Sequence, residues 1–351
     1  MIDSNAILQI NTKNLIKNFK SIKKIAKTSI CGATIKANAY GLGDKKIYDT
    51  LYKNGCRHFF LATLQEALSI RNYSKKSYLY VLNGLESNNL DIFYKFNIIP
   101  ILVSKEEINL FLKSKYLYKK FKIGIQIETG LNRLGVNIDD LKINLIKKID
   151  TLILISHLAS AEEFNNKFSN KQNMKFKTIF NNFKSIKYKS LSNSAGLVNN
   201  SFFHYDILRP GIALYGGYDN NKIKKIMKPK PVVKLKAKVL QIKYVNKNEF
   251  IGYNQTFKTR KKIKIAILGI GYADGFPRSL SNKGKVYFKK QIFEILGRVS
   301  MDSITINITN SKYKIKNGDY MDLINNKYDI ERFSRLCGTI NREILTSFSK
   351  R

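Results

Sequence analysis

Residues 33–46 read ATIKANAYGLGDKK. An apolar run from Ile30 to Ile35 ends on an ammonium group, Lys36, and the chain then passes Tyr40, Gly41 and Gly43. A lysine at a strand end is ordinarily a solvated group. Held at the mouth of a fold, the same amine can act as a nucleophile or, once deprotonated, as a base. Composition does not choose between these readings, because lysine is everywhere in this chain. Of 63 basic residues only 11 are arginine, and the formal net charge is +38. The excess is spread along the chain with isoleucine and asparagine, as AT-rich coding would produce. Basic runs occur near residues 222–230 and 258–264, but without the interleaved aromatics of a single-strand binder. A solvated basic surface is expected, and no specific nucleic-acid partner.

The chain has 351 residues, 44% of them hydrophobic, enough for a large core and a smaller module. No apolar run approaches the ~20 residues of a membrane span, so no membrane partner is expected. MIDSNAILQI lacks the layout of a signal peptide. Cys31, Cys56 and Cys337 are scattered and odd in number, which argues against a disulfide framework or a cysteine-rich metal site. The expected compartment is the cytoplasm, and no metal is expected.

The elements that must position Lys36 follow from periodicity. Short apolar runs at Ile30–Ile35, His58–Ala62, Leu79–Leu82, Ile98–Val103, Lys122–Ile127, Leu152–Ser156 and Lys189–Leu191 alternate with helical spacing at Asn14–Lys27, Leu64–Asn72, Lys105–Leu112 and Asn170–Phe183. Such alternation implies parallel βαβ units, and their number suits a closed (β/α)8 TIM-like barrel better than an open sheet, which the pattern alone leaves open. In a barrel, functional groups belong at strand C-terminal ends, where Lys36 lies. After Ile226 the texture changes to apolar–polar alternation with Gly- and Asn-rich turns and one late helical pattern, Asp329–Leu336. The expected organisation is a barrel over 10–225 and a mostly β domain over 226–351, with MKPKPVV as linker and the first few residues packing with the β domain.

IKANAYGLG resembles the cofactor-lysine motif of the alanine racemases, fold-type III pyridoxal phosphate enzymes. GLNRLG (130–135), SHLASAEE (156–163), SNSAG (192–196), LRPGIALYG (208–216), IGYNQTF (251–257), GIGYADGFPR (269–278), GRVSMDS (297–303) and GTINREILT (338–346) are similar to further motifs of that family, in the family's order and across both domains. The resemblance implies interconversion of L- and D-alanine on pyridoxal 5'-phosphate, supplying D-alanine for peptidoglycan, by a homodimer with shared active sites.

It also implies roles. Lys36 would hold the aldehyde cofactor covalently and serve as one base. Tyr253 of the partner subunit would serve as the other; tyrosine ordinarily titrates near ~10 and needs positive charge nearby to help as a base. Arg209 would face the pyridine nitrogen; a group that only donates keeps that nitrogen unprotonated and weakens the ring as an electron sink. His157 would pack on the ring and orient. Tyr40, Ser194 and the backbone of Gly211 and Ile212 would hold the phosphate, the last two as a turn of N–H donors. Arg133, with the backbone of Met301 of the partner subunit and Asp302 beside it, would meet the substrate carboxylate. Tyr272, Arg278, Arg298 and Glu162 would line the access channel.

Two positions depart from the family pattern. Many relatives carry a carbamylatable lysine where this chain has Gln126, whose amide oxygen can accept from Arg133; no carbamate is expected. Arg342 stands where many relatives have tyrosine, which leaves a racemase of broader or different amino-acid specificity as the alternative. A lyase or decarboxylase on the same scaffold is disfavoured by Arg209, and a non-catalytic cofactor-binding regulator by the presence of the β domain.

Overall fold

The structure, a computed structural model, describes residues 4–73, 76–85, 89–141, 149–181, 183 and 186–348. The chain forms two compact units. One comprises residues 15–214 and 218–229; the other comprises 1–14, 215–217 and 230–351.

The larger unit opens on helix α1 (Thr12–Ala26), after strand β1 (Ala6–Ile10) of the other unit. Leu15, Phe19, Ile22 and Ala26 recur at helical spacing and are its buried face. Strands β2 (Ile30–Cys31) and β3 (Ala33–Thr34) are one extended run interrupted at Gly32, where a Cβ would lie 2.9 Å from the Phe60 ring and 3.0 Å from the Leu208 carbonyl. From β3 a parallel sheet runs through β4 (His58–Leu61), β5 (Tyr78–Val81), β6 (Ile99–Leu102), β7 (Ile123–Gln126), β8 (Thr151–Ile155) and β9 (Tyr188–Ser190). The short strand β10 (Ile207–Leu208) pairs in parallel with β2. It is tied to the β9 side by Asp206 N–H to Lys189 O and Arg209 N–H to Ser192 O, both 3.0 Å. The sheet thus closes on itself as a (β/α)8 barrel. The eighth strand is the one for which the sequence carries no apolar run.

Between strands the chain returns through α2 (Lys36–Gly41), α3 (Asp44–Lys53), α4 (Leu64–Arg71), α5 (Leu90–Lys95), α6 (Lys105–Leu112), α7 (Lys167–Phe180) and α8 (Gly196–Asn199), and α9 (Asn221–Met227) follows the last strand. Side-chain caps set the starts of α4, α6, α7 and α9. Ser104 accepts from Glu107 N–H, and Asn166 accepts from Phe168 and Ser169 N–H. Strands β4, β6, β7 and β8 are buried at every position, as a sheet covered on both faces requires. Phe60, Tyr80, Ile101, Ile153, Ile155 and Ile207 belong to one core cluster.

The smaller unit is mostly β. Strand β11 (Val233–Val245) alternates buried and partly exposed residues over its first half. It pairs with β1, with β14 (Ile263–Leu268) and with β18 (Tyr320–Ile324). Strands β15 (Lys285–Phe288), β16 (Gln291–Leu296) and β17 (Ile304–Asn307) complete the order β11-β14-β17-β16-β15-β18, and the β11–β18 pairing closes the ring. A separate hairpin joins β12 (Phe250–Ile251) and β13 (Phe257–Lys258). Helices α10 (Ile330–Cys337) and α11 (Asn341–Ser347) end the described chain. Among the described residues no helix is long and apolar enough to cross a membrane, and no group of His, Cys, Asp and Glu could hold a metal ion.

An aromatic cluster fills the barrel end opposite the strand C-termini. His58 opens β4, is 5% exposed, and stacks on Tyr78 with ring centroids 4.7 Å apart. Its Nδ1 lies 2.9 Å from Tyr80 Oη. Burial, with a smaller effect of Lys187, lowers its pKa to about 4. The fold therefore holds His58 neutral, while the unfolded chain protonates near ~6.5. The stabilisation is complete above that value and is lost as pH falls from about 6.5 towards 4, at about 1.4 kcal/mol per pH unit. Denaturant unfolding measured across this window should fall by about 3 kcal/mol more in the native chain than in His58→Phe.

Candidate active site

The strand ends at the C-terminal face of the barrel carry the candidate groups. Lys36 lies two residues past the end of β3, and the next four residues, Ala37 to Tyr40, take left-handed φ values of 52° to 57°. For a residue with a Cβ this conformation costs roughly 1–2 kcal/mol, so a run of four has to be held by its surroundings. Ala39 N–H bonds Ile35 O at 2.8 Å and Gly43 N–H bonds Asn38 O at 3.0 Å. The Asn38 side chain accepts from Asp44 N–H at 2.9 Å, at the start of α3. The turn sets Lys36 apart from an ordinary strand-end lysine.

The end of β10 lies beside this turn. Thr34, two residues before Lys36, donates through Oγ1 to Arg209 O at 3.3 Å and through N–H to Pro210 O at 2.9 Å. The Arg209 side chain is 6% exposed. Its Nη1 donates to Ser190 Oγ at 2.5 Å, and its Nη2 donates to Ser156 O at 2.6 Å and to His157 Nδ1 at 3.4 Å. Burial lowers its pKa to about 10, which leaves it a cation at neutral pH. As the acceptor of that bond, His157 Nδ1 carries no proton.

The residues that fix this arrangement were not visible in the sequence. Ser190 Oγ donates onward to Ile207 O, and Ser156 Oγ to Ile127 O. Gln172, buried on α7, donates to His157 O at 3.0 Å and to Thr129 Oγ1 at 3.3 Å, and accepts from Ala159 N–H at 2.9 Å. Serine, threonine and glutamine are common surface residues, and only a fully buried glutamine with three bonds signals a fixed polar network.

Ser194, Gly211, Ile212 and Tyr40 come together in a cradle of groups that can receive an oxyanion. Ser194 Oγ accepts from Gly211 N–H at 2.9 Å and from Ala213 N–H at 3.3 Å, so its own hydrogen remains to be donated. A Cβ on Gly211 would lie 2.2 Å from Tyr40 Oη, so the missing side chain is what lets the phenol in. The Ile212 N–H bonds nothing among the described residues. Two hydroxyls and a backbone N–H can thus meet a phosphate, next to a buried cation that can only donate and near the strand end that carries an amine. These residues fit a phosphorylated aldehyde cofactor.

Arg133 and Glu162 lie exposed on loops after β7 and β8. Gln126 does not bond Arg133. Its Nε2 donates to Leu134 O, so the glutamine holds the backbone of the GLNRLG loop rather than the guanidinium. The Glu162 carbonyl accepts from Asn220 Nδ2 at 2.6 Å.

The other candidates belong to the β unit, where three loops interlock. Tyr253 stands in the turn of the β12–β13 hairpin after Gly252 at φ 77°, and is 68% exposed. Met301 and Tyr272 are 52% and 41% exposed. Tyr272 N–H bonds Ser300 O and Ala273 N–H bonds Met301 O, both at 3.0 Å. A Cβ on Gly271 would lie 2.1 Å from Met301 O, and one on Gly297 would lie 2.4 Å from Ile251 O. Asn282 accepts from Gly297 N–H at 2.6 Å and donates to Thr256 Oγ1 at 3.2 Å, joining the Tyr253 turn to the loop of Met301 and the exposed Asp302. Arg298, whose buried Nε has no hydrogen-bond partner among the described residues, lies in that loop. Tyr272 and the exposed Arg278 border an open pocket of about 500 Å³, also lined by Phe276, Cys337, Glu343 and Ile344. Arg342 is partly buried on α11.

Residues 10–219 match the family model "Alanine racemase, N-terminal domain", and residues 232–351 match "Alanine racemase, C-terminal domain". The alanine racemase of Rickettsia africae (strain ESF-5) is 35% identical over 354 residues, covering 98% of this chain and 97% of that protein. That of Brucella suis is 35% identical over 364 residues, covering 98% and 92%. Among solved structures, the alanine racemase of Bartonella henselae with covalently bound pyridoxal phosphate superposes with a TM-score of 0.92 at 35% identity, over 99% of this chain and 98% of that one. The Clostridium difficile enzyme in complex with cycloserine superposes with a TM-score of 0.90 at 28% identity, over 99% and 94%.

Gly211→Ala should displace the Tyr40 hydroxyl from the cradle. Overpacking of this kind costs about 1–3 kcal/mol, so pyridoxal phosphate binding measured by equilibrium dialysis should weaken roughly ten- to hundredfold. In a Tyr40→Phe background the same substitution should cost far less, because the oxygen it strikes is gone.

Proposed function

The chain belongs to the alanine racemase family, and on that premise we propose that it interconverts L- and D-alanine with pyridoxal 5'-phosphate, by two bases on opposite faces of the substrate Cα. The observation that carries this reading is the meeting, at one barrel end, of the Lys36 strand end, the buried Arg209 cation and the cradle of Tyr40, Ser194, Gly211 and Ile212. When bound, the cofactor supplies an electron-withdrawing ring that makes the Cα proton removable. The chain's own residues do the rest. The Lys36 amine, on a backbone held by the left-handed turn, takes or returns the Cα proton on one face. Tyr253 of the partner subunit serves the other face, and its exposure on a rigidly supported turn suits a group offered to a second chain. Arg209 would face the ring nitrogen as a donor that cannot protonate it, which would limit charge delocalisation and so discourage side reactions. His157, its Nδ1 held by Arg209, would pack beside the ring and orient it. Arg133, with the backbone of Met301 of the partner subunit, orients the substrate carboxylate. Tyr272, Arg278, Arg298 and Glu162 line the approach.

The active form is then a homodimer with shared sites, working in the cytoplasm to supply D-alanine for peptidoglycan. Gln126, already committed to Leu134 O, leaves the position occupied without carbamate chemistry.

The test is proton NMR of L- and D-alanine in D2O with a chiral assay, for the native enzyme and for Lys36→Ala and Tyr253→Phe. The native enzyme should deuterate Cα and racemise. Lys36→Ala should do neither. Tyr253→Phe should lose racemisation by roughly 10²–10⁴-fold yet still exchange the Cα proton of one enantiomer, because one base remains. Racemisation left intact in Tyr253→Phe would remove that residue from the mechanism. A native enzyme that binds the cofactor and leaves alanine untouched, while racemising another amino acid, would move the substrate assignment, and Arg342 would be the first residue to exchange.

A further inference from the structure

Helix α4 grips both ends of the left-handed turn. Glu66 is the third residue of that helix, and its carboxylate divides between two strand ends. Oε1 accepts the Ala37 N–H at 2.8 Å, one residue past Lys36. Oε2 accepts the Ala62 N–H at 2.7 Å, one residue past β4, and the Thr63 N–H at 3.5 Å. One turn along α4, Ser69 Oγ donates to Asp44 Oδ2 at 3.4 Å, and Asp44 N–H is held by Asn38. Ile35 N–H bonds Phe60 O at 3.0 Å, so β3 and β4 are already paired up to the point where the carboxylate takes over.

A glutamate three residues after a threonine N-cap is ordinarily explained by the capping box alone, and that box is present here. It needs only the bond back to the cap backbone, the longest of the three that Glu66 accepts. The shorter two leave the helix and clamp the backbones that follow the two strands. Of these, the Ala37 N–H opens the strained turn, and its direction fixes the peptide plane that carries the Lys36 carbonyl. A charged acceptor is the strong form of this bond.

We propose that Glu66 is a positioning residue for Lys36, its carboxylate bridging the Ala37 N–H of the left-handed turn and the Ala62 N–H of the neighbouring strand end. The inference rests on the reading of Lys36 as the cofactor lysine. Glu66 touches no reacting atom; it acts through the backbone. Losing it relaxes the turn and leaves the amine on a mobile stem.

The test compares Glu66→Ala, Glu66→Gln and Thr63→Ala with the native chain in two measurements. The first is hydrogen exchange of the Ala37 amide. The second is the rate at which pyridoxal phosphate becomes borohydride-reducible onto Lys36, read by mass spectrometry. Glu66→Ala should speed Ala37 exchange and slow attachment, each at least about tenfold. Glu66→Gln has one amide oxygen to serve two N–H groups and should fall between. Thr63→Ala removes the hydroxyl cap and should lower the melting temperature while leaving both readouts near native. Native values of both readouts in Glu66→Ala, or equal losses in Thr63→Ala, would overturn the proposal, the second by reducing Glu66 to a helix cap. If the native chain attaches no cofactor, the functional reading fails, and Ala37 exchange still decides whether Glu66 holds the turn.

Discussion

A cation buried without an anion organises the barrel mouth. Arg209 is almost fully enclosed, and the acceptors it meets are a serine hydroxyl, a backbone carbonyl and a histidine nitrogen, all neutral. Desolvating a guanidinium costs several kcal/mol unless good hydrogen bonds replace the lost water. Here that replacement involves three strands. Ser190 ends β9, Ser156 follows β8, His157 follows it in turn, and Arg209 follows β10. Each acceptor is itself tied to a strand or loop by a further bond, through Ser156 to Ile127 O, through Ser190 to Ile207 O and through Gln172 to His157 O. Closure of the barrel at its shortest strand and enclosure of the charge are therefore one structural event. Neither β10 with two residues nor a lone buried guanidinium would persist alone.

The same closure sets the lysine. Thr34 bonds the carbonyls of Arg209 and Pro210, so the end of β3 is registered against the end of β10 before the chain turns. The turn that follows is left-handed over four residues that all carry a Cβ, a conformation with no intrinsic support. Support comes from the barrel on one side and from α3 and α4 on the other. Strain at such a point is tolerated where the surroundings over-determine it.

The division between what sequence could and could not disclose follows the range of the forces involved. Helix α6 is read to the residue from its spacing, because Ser104 caps it and an apolar face follows; both signals are local. Strands β4 to β8 are legible because each is an apolar run buried on both faces. β10 is not, since Ile207–Leu208 is too short to make a run and its place depends on partners more than 170 residues away. The left-handed turn is equally silent. Ala37, Ala39 and Tyr40 do not favour that conformation, and only the flanking glycines hint that the backbone departs from an ordinary path. Lys36, Arg209, Ser194 and Tyr253 were named through motif resemblance, whereas Ser156, Ser190, Gln172 and Glu66 required coordinates. Their hydroxyl, amide and carboxyl groups bond backbone atoms, and a backbone atom leaves no mark in the sequence. The Gln126–Arg133 bond was a reasonable expectation from residue types, but Gln126 donates instead to the Leu134 carbonyl and Arg133 lies exposed.

The abundance of lysine poses the sharper question of what makes one amine special. Many exposed lysines lie over aromatic rings, as Lys45 does over Tyr73, Lys119 over Tyr94 and Lys262 over Tyr244. There the ammonium keeps its water and the aliphatic stem covers a ring face. Such lysines share one setting, an exposed ammonium over a ring face. Lys36 is set apart by its main chain. Its strand is registered to the strand of the buried arginine, and its following residues are bent left-handed against a helix. On the proposed function, selection of a reactive amine among chemically identical ones is thus a backbone property. It survives a compositional bias that fills the surface with lysine, because a bias acts on side-chain identity and leaves the hydrogen-bonded path of the chain through the barrel mouth unchanged.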